Sequence, residues 1–148
     1  MNKYIILALA LTLAACGGAD EENSLGYSSS SGKSVSETTD QNDTISTAQA
    51  VSIGSSISGS IGATDIHDVY QFEVEKDQQI VINFDGHSGS DVDIYLFNSD
   101  RGLLRASHEE GSQESMSYDA SYTGTLYLVV EHYEGPDSSY QMSIAQFN

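Results

Sequence analysis

Five residues with oxygen-bearing side chains occur in two short segments of the sequence. Asp40, Asn42 and Asp43 fall within one tetrapeptide, and Asp65 and Asp68 form a second pair further along. Calcium takes about six to eight hard oxygen ligands, several of them carboxylates, in a flexible geometry. The two segments therefore form a candidate calcium site. The same residue types also cap helical turns and close β-turns, so turn chemistry is the alternative role for both.

A second group of polar residues could carry catalysis, but its pattern is incomplete. Asp91 and Asp93 alternate along one predicted strand and could serve as the carboxylate pair of a glycoside hydrolase. Residues 86–90 have the spacing of a nucleophile elbow, yet Ser90 stands where the last glycine belongs and no strand-to-helix turn follows. We therefore expect that the protein is not an enzyme. A hydrolase that uses Asp91 and Asp93 is the least favoured alternative.

The first sixteen residues have the pattern of a secretory signal that ends in a single cysteine. Lys3 gives a basic start, residues 4–13 are mostly apolar, and Leu-Ala-Ala-Cys closes the signal at Cys16. The apolar run is too short to span a bilayer. Its ending resembles the bacterial lipobox, which implies cleavage after residue 15 and a lipid, palmitate included, on Cys16. The lipid would tie the protein to a membrane. Gly17 after the cysteine is typical of lipoproteins sorted to the outer membrane.

The composition excludes several kinds of chemistry and partner. Cys16 is the single cysteine of the chain, so the lipidated protein has no thiol for a disulfide, a nucleophile or a soft metal ligand. The chain carries 22 Asp and Glu against 5 Lys and Arg, a formal net charge of −17. Such a charge repels nucleic acid and attracts cations. We expect no nucleic-acid partner.

Residues 16–39 are rich in serine, glycine and acids and poor in apolar side chains. They include four consecutive serines at positions 28–31. A segment of this composition cannot bury enough apolar surface to offset the entropy of ordering it. It predicts a flexible tether between the lipidated cysteine and a folded domain over residues 40–148. That length is ordinary for one domain.

The rest of the chain shows the two-residue alternation of β-strands. Apolar residues recur at every second position in the five clearest runs: Tyr70, Phe72 and Val74; Ile80, Ile82 and Phe84; Val92, Ile94 and Leu96; Leu126, Leu128 and Val130; Tyr140, Met142 and Ile144. Weaker strands are predicted at Ser56 to Ile61, Leu103 to Ser107 and Ser115 to Ala120. Clusters of Gly, Asn, Asp and Ser separate the runs. About eight short strands predict an all-β fold, an antiparallel sandwich of two sheets.

Several of these segments occur in an order that resembles a known family. They are Asn42 to Thr44 with Ala48, Ile57 to Ile61, Asp65 to Phe72, Asp91 to Phe97, Gly124 to Val130 and Ser139 to Met142. Together they resemble the bacterial pre-peptidase C-terminal domain, a jelly-roll-like β-sandwich appended to many secreted peptidases. The resemblance covers residues 40–148.

This resemblance implies a non-catalytic domain. Some members, notably in bacterial collagenases, bind substrate and hold calcium where the linker meets the sandwich. Position by position, the implied calcium segments are residues 40–43 on the linker side and Asp65 with Asp68 on the loop side. Thr38 stands where the collagen-binding members carry a further acid, so a two-ion site is not expected. The chain contains no peptidase sequence, and the target of the domain stays open.

Outward side chains near the end of the chain are candidates for ligand binding. Strand alternation turns Tyr127 and Val129 outward, and Tyr133 precedes a predicted hairpin. Exposed tyrosines give rigid amphipathic contacts, although cross-strand packing is an alternative role for Tyr127. The favoured function is calcium-assisted binding of an extracytoplasmic protein or polysaccharide. A targeting or accessory subunit of a secreted peptidase is the second candidate, ahead of the hydrolase.

Overall fold

The period-two segments form ten β-strands in the computed structural model, which describes residues 32–38 and 41–147 of the 148-residue chain. The strands are β1 (Ser34–Ser36), β2 (Gln49–Ala50), β3 (Ser56–Ile61), β4 (His67–Val74), β5 (Gln79–Asp85), β6 (Asp91–Asn98), β7 (Leu103–Ser107), β8 (Gln113–Asp119), β9 (Gly124–Glu134) and β10 (Ser138–Phe147). A single 3₁₀ turn, Ile45–Thr47, is the helical element of these residues. No helix within them is long and apolar enough to cross a membrane.

The strands form two five-stranded sheets, which confirms the predicted all-β sandwich. Sheet A has the order β1-β3-β10-β5-β8 and sheet B has the order β2-β4-β9-β6-β7. Strands that neighbour one another in a sheet mostly come from distant parts of the chain. The central strand β9, for example, pairs with β4 on one side and with β6 on the other.

The expected number and direction of the strands need correction. All eight predicted strands are present, but β1 and β2 are additional, and each pairs in parallel with its neighbour, β3 and β4 respectively. Strands of three and two residues are too short for alternation to reveal them. Their pairing depends on an already formed neighbour rather than on their own sequence.

Regular structure also begins before the predicted domain boundary at residue 40. Residues 34–36, which the composition places in a flexible segment, form β1, and Val35 packs against the core beside Ile57. The predicted signal peptide, Cys16 and most of the tether lie outside the described residues.

Alternating side chains from both sheets meet in one core. The largest fully buried side chains come from strands of both sheets and include Tyr70, Phe72, Ile82, Leu96, Leu128 and Ile144. Each such side chain contributes about 1.5–3 kcal/mol when it is removed from water. The inward positions that alternation predicts are therefore buried, and the remaining positions on each strand face outward.

The two outward faces differ in chemistry. On sheet A, one row of paired residues consists of Ser56, Ser143, Asn83 and Ser115. On sheet B, paired rows carry larger side chains: Val69, Val129, Tyr95 and Ala106 in one row, and Gln71, Tyr127, Phe97 and Leu103 in the next. The sheet A row therefore consists of small polar groups, whereas the sheet B rows are mostly aromatic and aliphatic. Val69 of these rows is itself buried, and Phe147 at the end of β10 on sheet A is 55% exposed.

Candidate functional site

Three carboxylates converge where the first strand meets the sandwich. Glu37, Asp65 and Asp68 each offer one oxygen, and these oxygens lie within 4.8 Å of one another. Glu37 directly follows β1, Asp65 lies in the turn before β4, and Asp68 is the second residue of β4. Three separate segments thus bring negative charge to one point. We refer to Glu37, Asp65 and Asp68 as the carboxylate cluster.

Backbone hydrogen bonds hold the two more exposed members of this cluster in place. Glu37 donates its N–H to the carbonyl of Ser58 over 2.8 Å, and its Oε2 accepts the N–H of Ser60 over 2.8 Å. Asp65 closes a tight turn with Gly62, because the N–H of each residue donates to the carbonyl of the other. Turn chemistry therefore does apply to the Asp65 backbone, while its side chain remains in the cluster.

Asp68 is the buried member and belongs to a chain of hydroxyl groups in the core. Tyr140 donates its hydroxyl hydrogen to Asp68 Oδ2 over 2.7 Å, and the hydroxyls of Tyr70 and Tyr140 are 2.5 Å apart. Burial raises the pKa of the Asp68 carboxyl from 3.8 to about 8, and the charges of Glu37 and Asp65 contribute to the rise. An ionised carboxyl in this position is unfavourable unless a cation lies beside it.

Several buried polar atoms at this end of the sandwich have no hydrogen-bond partner within the described part of the chain. They are Asp68 Oδ1 and both side-chain polar atoms of Asn42. Asn42 is fully buried, and its backbone carbonyl accepts the N–H of Val69 over 2.7 Å. Buried polar atoms are nearly always paired with protein, water or an ion. An unpaired carboxylate oxygen of Asp68 among three converging carboxylates fits the oxygen donors that calcium requires.

The structure brings together some of the predicted metal ligands and not others. Asp65 and Asp68 lie in the carboxylate cluster, and the backbone of Asn42 is bonded to β4 one residue after Asp68. Asp43 is exposed and is not among the converging carboxylates, so the structure does not support its expected place beside them. Asp40 lies outside the described residues.

Sequence reasoning missed Glu37, the third carboxylate of the cluster. It lies in the segment whose composition indicates a tether, and its position depends on the parallel pairing of β1 with β3. The one local signal is Val35, a single apolar residue between polar neighbours. Thr38, by contrast, is bonded elsewhere, because both its N–H and its hydroxyl donate to Gln49 Oε1.

A glycine leaves room for the cluster beside β3. A Cβ at Gly59 would lie 2.4 Å from the Tyr140 hydroxyl and 2.6 Å from Glu37 Oε2. Contacts this short cannot persist without displacement of one of the two side chains. Gly59 is therefore required by the close approach of Tyr140 and Glu37.

A second acidic region lies at the outer face of sheet B. A cleft of about 570 Å³ is lined by Asp91, Asp93, Tyr95, His108, Glu110 and Tyr133. Asp93 is 7% exposed and accepts the Tyr95 hydroxyl over 2.8 Å. Asp91 accepts the N–H of Gly111 over 2.9 Å. The two aspartates that could form a catalytic pair are thus each engaged by a donor of the protein. We refer to the six lining residues as the acidic cleft.

The predicted ligand-binding residues lie on or beside this outer face. Tyr127 and Val129 are half-buried on β9, and Tyr133 is 68% exposed at the rim of the acidic cleft. Tyr127 lies between Gln71 and Phe97 in its row, as cross-strand packing requires. The structure thus gives Tyr127 cross-strand neighbours and leaves Tyr133 open to solvent.

Fold and site together define a two-sheet β-sandwich that carries a carboxylate cluster and, on sheet B, an outer face with aromatic side chains. Residues 67–132 match the sequence model of the bacterial pre-peptidase C-terminal domain. The match confirms the resemblance that the sequence motifs indicate, and the matched domain is a non-catalytic type of module. It runs from the start of β4 into β9. It includes Asp68 and the two aspartates of the acidic cleft, whereas Glu37, Asn42 and Asp65 precede it.

Similar folds occur among solved structures. The crystal structure of the pre-peptidase C-terminal domain of a collagenase from Bacillus anthracis matches with a TM-score of 0.59 and 24% sequence identity, over 66% of this chain and 93% of that one. A periplasmic inhibitor of g-type lysozyme from Aeromonas hydrophila matches with a TM-score of 0.43 and 8% identity, over 66% and 97% of the two chains. No curated protein sequence matches the chain.

Proposed function

We propose that this protein is a non-catalytic binding module in which calcium fastens the segment before the sandwich to the sandwich itself. The observation that carries the proposal is the carboxylate cluster, three carboxylate oxygens within 4.8 Å of one another. Like charges at this separation repel in the absence of a cation. The cluster joins β1, the turn at Asp65 and β4, so a bound ion would couple three segments of the chain.

The ligands in this proposal are Glu37, Asp65, Asp68 and the side-chain oxygen of Asn42. Calcium would supply positive charge and accept further oxygen ligands beyond those of the protein. The residues of the chain have a separate task, which is to hold the oxygens in position. Gly59 leaves the necessary space, and the Tyr140 hydroxyl orients Asp68 through its hydrogen bond.

The proposed ligand-binding surface is the outer face of sheet B, with Tyr127, Val129 and Tyr133. Aromatic and aliphatic residues on neighbouring strands of this sheet face outward in two adjacent rows. Rigid aromatic side chains lose little conformational entropy on binding. An extracytoplasmic protein or polysaccharide is the proposed ligand class.

An accessory role beside a secreted peptidase is the second candidate. It is supported by the similar fold in Bacillus anthracis, which is a domain of a collagenase. Co-purification of a peptidase with the native protein would favour this role. A hydrolase function for Asp91 and Asp93 has less support, because both carboxylates already accept hydrogen bonds from the protein.

Attachment to the outer membrane through a lipid on Cys16 completes the proposal. Its support is the sequence pattern of the first sixteen residues alone. Metabolic labelling with palmitate in a bacterial host should label the natural chain. The Cys16→Ser variant should be unlabelled and should move from the membrane fraction to the soluble fraction. Equal labelling of both proteins would refute the anchor.

A thermal melt of the full chain, with calcium and then with a chelator, tests the cation. At about 100 times its dissociation constant, an ion that binds only the folded state adds about 2.7 kcal/mol, or about 10 °C in Tm for a domain of this size. Asp65→Asn should abolish this rise. Asp91→Asn is the matched control, because it makes the same charge change in the acidic cleft and should leave the rise intact. No rise at millimolar calcium would refute the site.

A further inference from the structure

The acidic cleft is a built cavity and not a set of scattered surface acids. Its floor is β6, which supplies Asp91, Asp93 and Tyr95, and its sides are His108 and Glu110 from the segment after β7 and Tyr133 from β9. Its volume of about 570 Å³ is within the range of ligand pockets in proteins. A long side chain together with adjoining backbone fits within this volume.

Backbone hydrogen bonds fix the segment that forms one wall of the cleft. Gly111 donates its N–H to Asp91 Oδ1 over 2.9 Å, and its carbonyl accepts the N–H of Val92 over 3.0 Å. The carbonyl of the next residue, Ser112, accepts the N–H of Gly86 over 2.8 Å. The segment between β7 and β8 is therefore tied to two other strand ends, and the cleft keeps its shape without a ligand.

Lysine and arginine do not balance the acids of the cleft, and His108 is the one basic side chain among the six lining residues. Among the described residues, no lysine or arginine forms an ion pair with Asp91, Asp93 or Glu110. Arg105, the basic residue nearest to the cleft wall in sequence, donates to the Leu104 carbonyl and lies 5.7 Å above the Tyr118 ring. Glu131 lies opposite Asp93 on β9, where its charge helps to raise the pKa of Asp93, and its Oε1 lies 3.3 Å from His67 Nε2.

A buried acid, Glu114, lies behind the cleft wall. Glu114 is 4% exposed, its Oε1 has no hydrogen-bond partner within the described residues, and its Oε2 accepts the Ser107 hydroxyl. Burial raises the pKa of the Glu114 carboxyl, and the charges of Asp93 and Glu109 contribute to the rise. A buried carboxyl beside other acids is costly in its charged form, so Glu114 favours its neutral form. The negative charge of the cleft therefore comes from the acids that line it.

The arrangement favours an organic cation over a metal ion. Among the described residues, the acids of the cleft do not converge as the carboxylate cluster does, so no point between them offers three carboxylate oxygens to a metal ion. Carboxylate oxygens spaced around a cavity suit a group with several N–H donors. Tyr95 and Tyr133 supply aromatic surface for the apolar stem of such a group and for cation–π contact.

We propose that the acidic cleft binds the arginine or lysine side chain of an extracytoplasmic protein partner. The inference rests on the proposed binding function and names its partner class: a protein segment that places a basic residue beside apolar ones. The basic side chain enters the cleft, and its apolar neighbours lie on the rows of sheet B that contain Tyr127 and Val129. A neutral polysaccharide would leave the charge of the cleft uncompensated.

Backbone amide shifts of the full ¹⁵N-labelled chain test this inference directly. The probes are acetyl-Gly-Arg-Gly-amide and the same peptide with norleucine in place of arginine. The arginine peptide should shift amides at residues 91–95, 108–111 and 131–134. The norleucine peptide should not. Replacement of two of the acids, Asp93→Asn with Glu110→Gln, should weaken binding at least about tenfold, because charge-assisted hydrogen bonds are lost.

Two controls show whether the arginine shifts arise in the cleft itself. Asp119→Asn removes an exposed charge on β8 of sheet A and should not change arginine binding. Calcium added to the same sample should shift residues around Glu37, Asp65 and Asp68 only, which tests the proposed cation site independently. Calcium shifts without arginine shifts would overturn this inference and leave the calcium site standing. Equal shifts with both peptides, or shifts at the cleft with a neutral cello-oligosaccharide but not with the arginine peptide, would also overturn it.

Discussion

The protein contains two acidic regions that differ in the spacing of their carboxylates. In the carboxylate cluster, oxygens of Glu37, Asp65 and Asp68 come within 4.8 Å of one another, and buried polar atoms nearby lack hydrogen-bond partners within the described residues. In the acidic cleft, Asp91 and Asp93 line a cavity of about 570 Å³, and each accepts a hydrogen bond from the protein. The first region is compact and the second is open.

The difference shows how similar residue types acquire different ligand chemistry. A small hard cation needs several oxygens at one point, whereas a basic side chain needs separated acceptors and apolar walls. Density of acids alone does not distinguish these sites. The spacing of the carboxylate oxygens distinguishes them, because the oxygens of the carboxylate cluster converge on one point and those of the acidic cleft do not.

The largest difference between the two regions should be in the loss of stability when a glycine is replaced by alanine. Gly59→Ala places a Cβ within 2.6 Å of both Tyr140 and Glu37, so we expect a loss of about 3 kcal/mol from overpacking. Gly111→Ala, in the wall of the cleft, meets no atom within 4 Å. Its cost should be smaller, about 1–2 kcal/mol, from the positive φ of 132° alone. Urea denaturation of both variants measures these values, and equal losses would contradict the contrast in packing.

A smaller effect should follow from removal of one hydroxyl in each region. Tyr140→Phe takes the donor away from Asp68 Oδ2 and the partner away from the Tyr70 hydroxyl. We expect a loss of about 2 kcal/mol, measured by urea denaturation, since buried polar groups then stay unpaired. Tyr133→Phe, at a position 68% exposed, should leave stability unchanged. A Tyr140→Phe variant as stable as the natural protein would show that the buried hydroxyl chain is not needed.

The pH dependence of stability should reveal the buried acid behind the cleft. The pKa of Glu114 is raised in the folded protein, chiefly by burial. A raised pKa favours folding while the group is protonated, and this contribution is lost as pH rises from the ordinary value of 4.5 through the higher folded value. Glu114→Gln stays neutral throughout. The variant should match the natural protein near pH 4 and should melt higher than it at pH 8.

The opposite pH trend for Glu114→Gln would contradict the buried, unpaired environment of this carboxyl. Asp119→Asn is the control, because that acid is exposed on the same strand. Its Tm difference from the natural protein should change little over the same pH range. Thermal melts in chelator at both pH values suffice for the comparison.

Added salt should produce the smallest of these effects. It should weaken binding of the arginine peptide in the acidic cleft and leave calcium binding at the carboxylate cluster nearly unchanged. Screening weakens attraction between exposed charges and acts less on buried ones. Arginine-peptide affinity should therefore fall severalfold between about 50 and about 500 mM sodium chloride, by the screening expected for a solvent-open cleft. The Tm rise at saturating calcium should stay nearly constant. Equal sensitivity of both would indicate that the carboxylate cluster is as open to solvent as the cleft.

Local sequence was sufficient for most of the fold. The sequence located eight strands and, in the five clearest, the inward residues such as Ile82, Leu96 and Leu128, because burial of one strand face imposes a period of two. It missed β1 and β2, which are too short to show a period and which form only against β3 and β4. It also extended the tether across Val35.

The residues of the candidate site were likewise predicted only in part from local sequence. Sequence spacing indicated Asp65 and Asp68, which lie on a loop and a strand that are adjacent in the chain. Glu37 entered through the non-local pairing of β1, and Asp43 proved to be exposed. Asp91 and Asp93 were visible as a pair. Tyr133 was indicated separately as a candidate for ligand binding, but its position beside these aspartates, and that of the segment after β7, were not.

The sequence by itself determined the all-β class, the family resemblance and the acid-rich, lysine-poor composition, because these depend on residue types and on short-range periodicity. The tertiary structure decided which acids meet and which stay apart. That outcome depends on strand order, on the parallel attachment of β1 and on the loop between β7 and β8. Contacts between residues far apart in the chain fix all three, and no local pattern encodes the distance between Glu37 and Asp68.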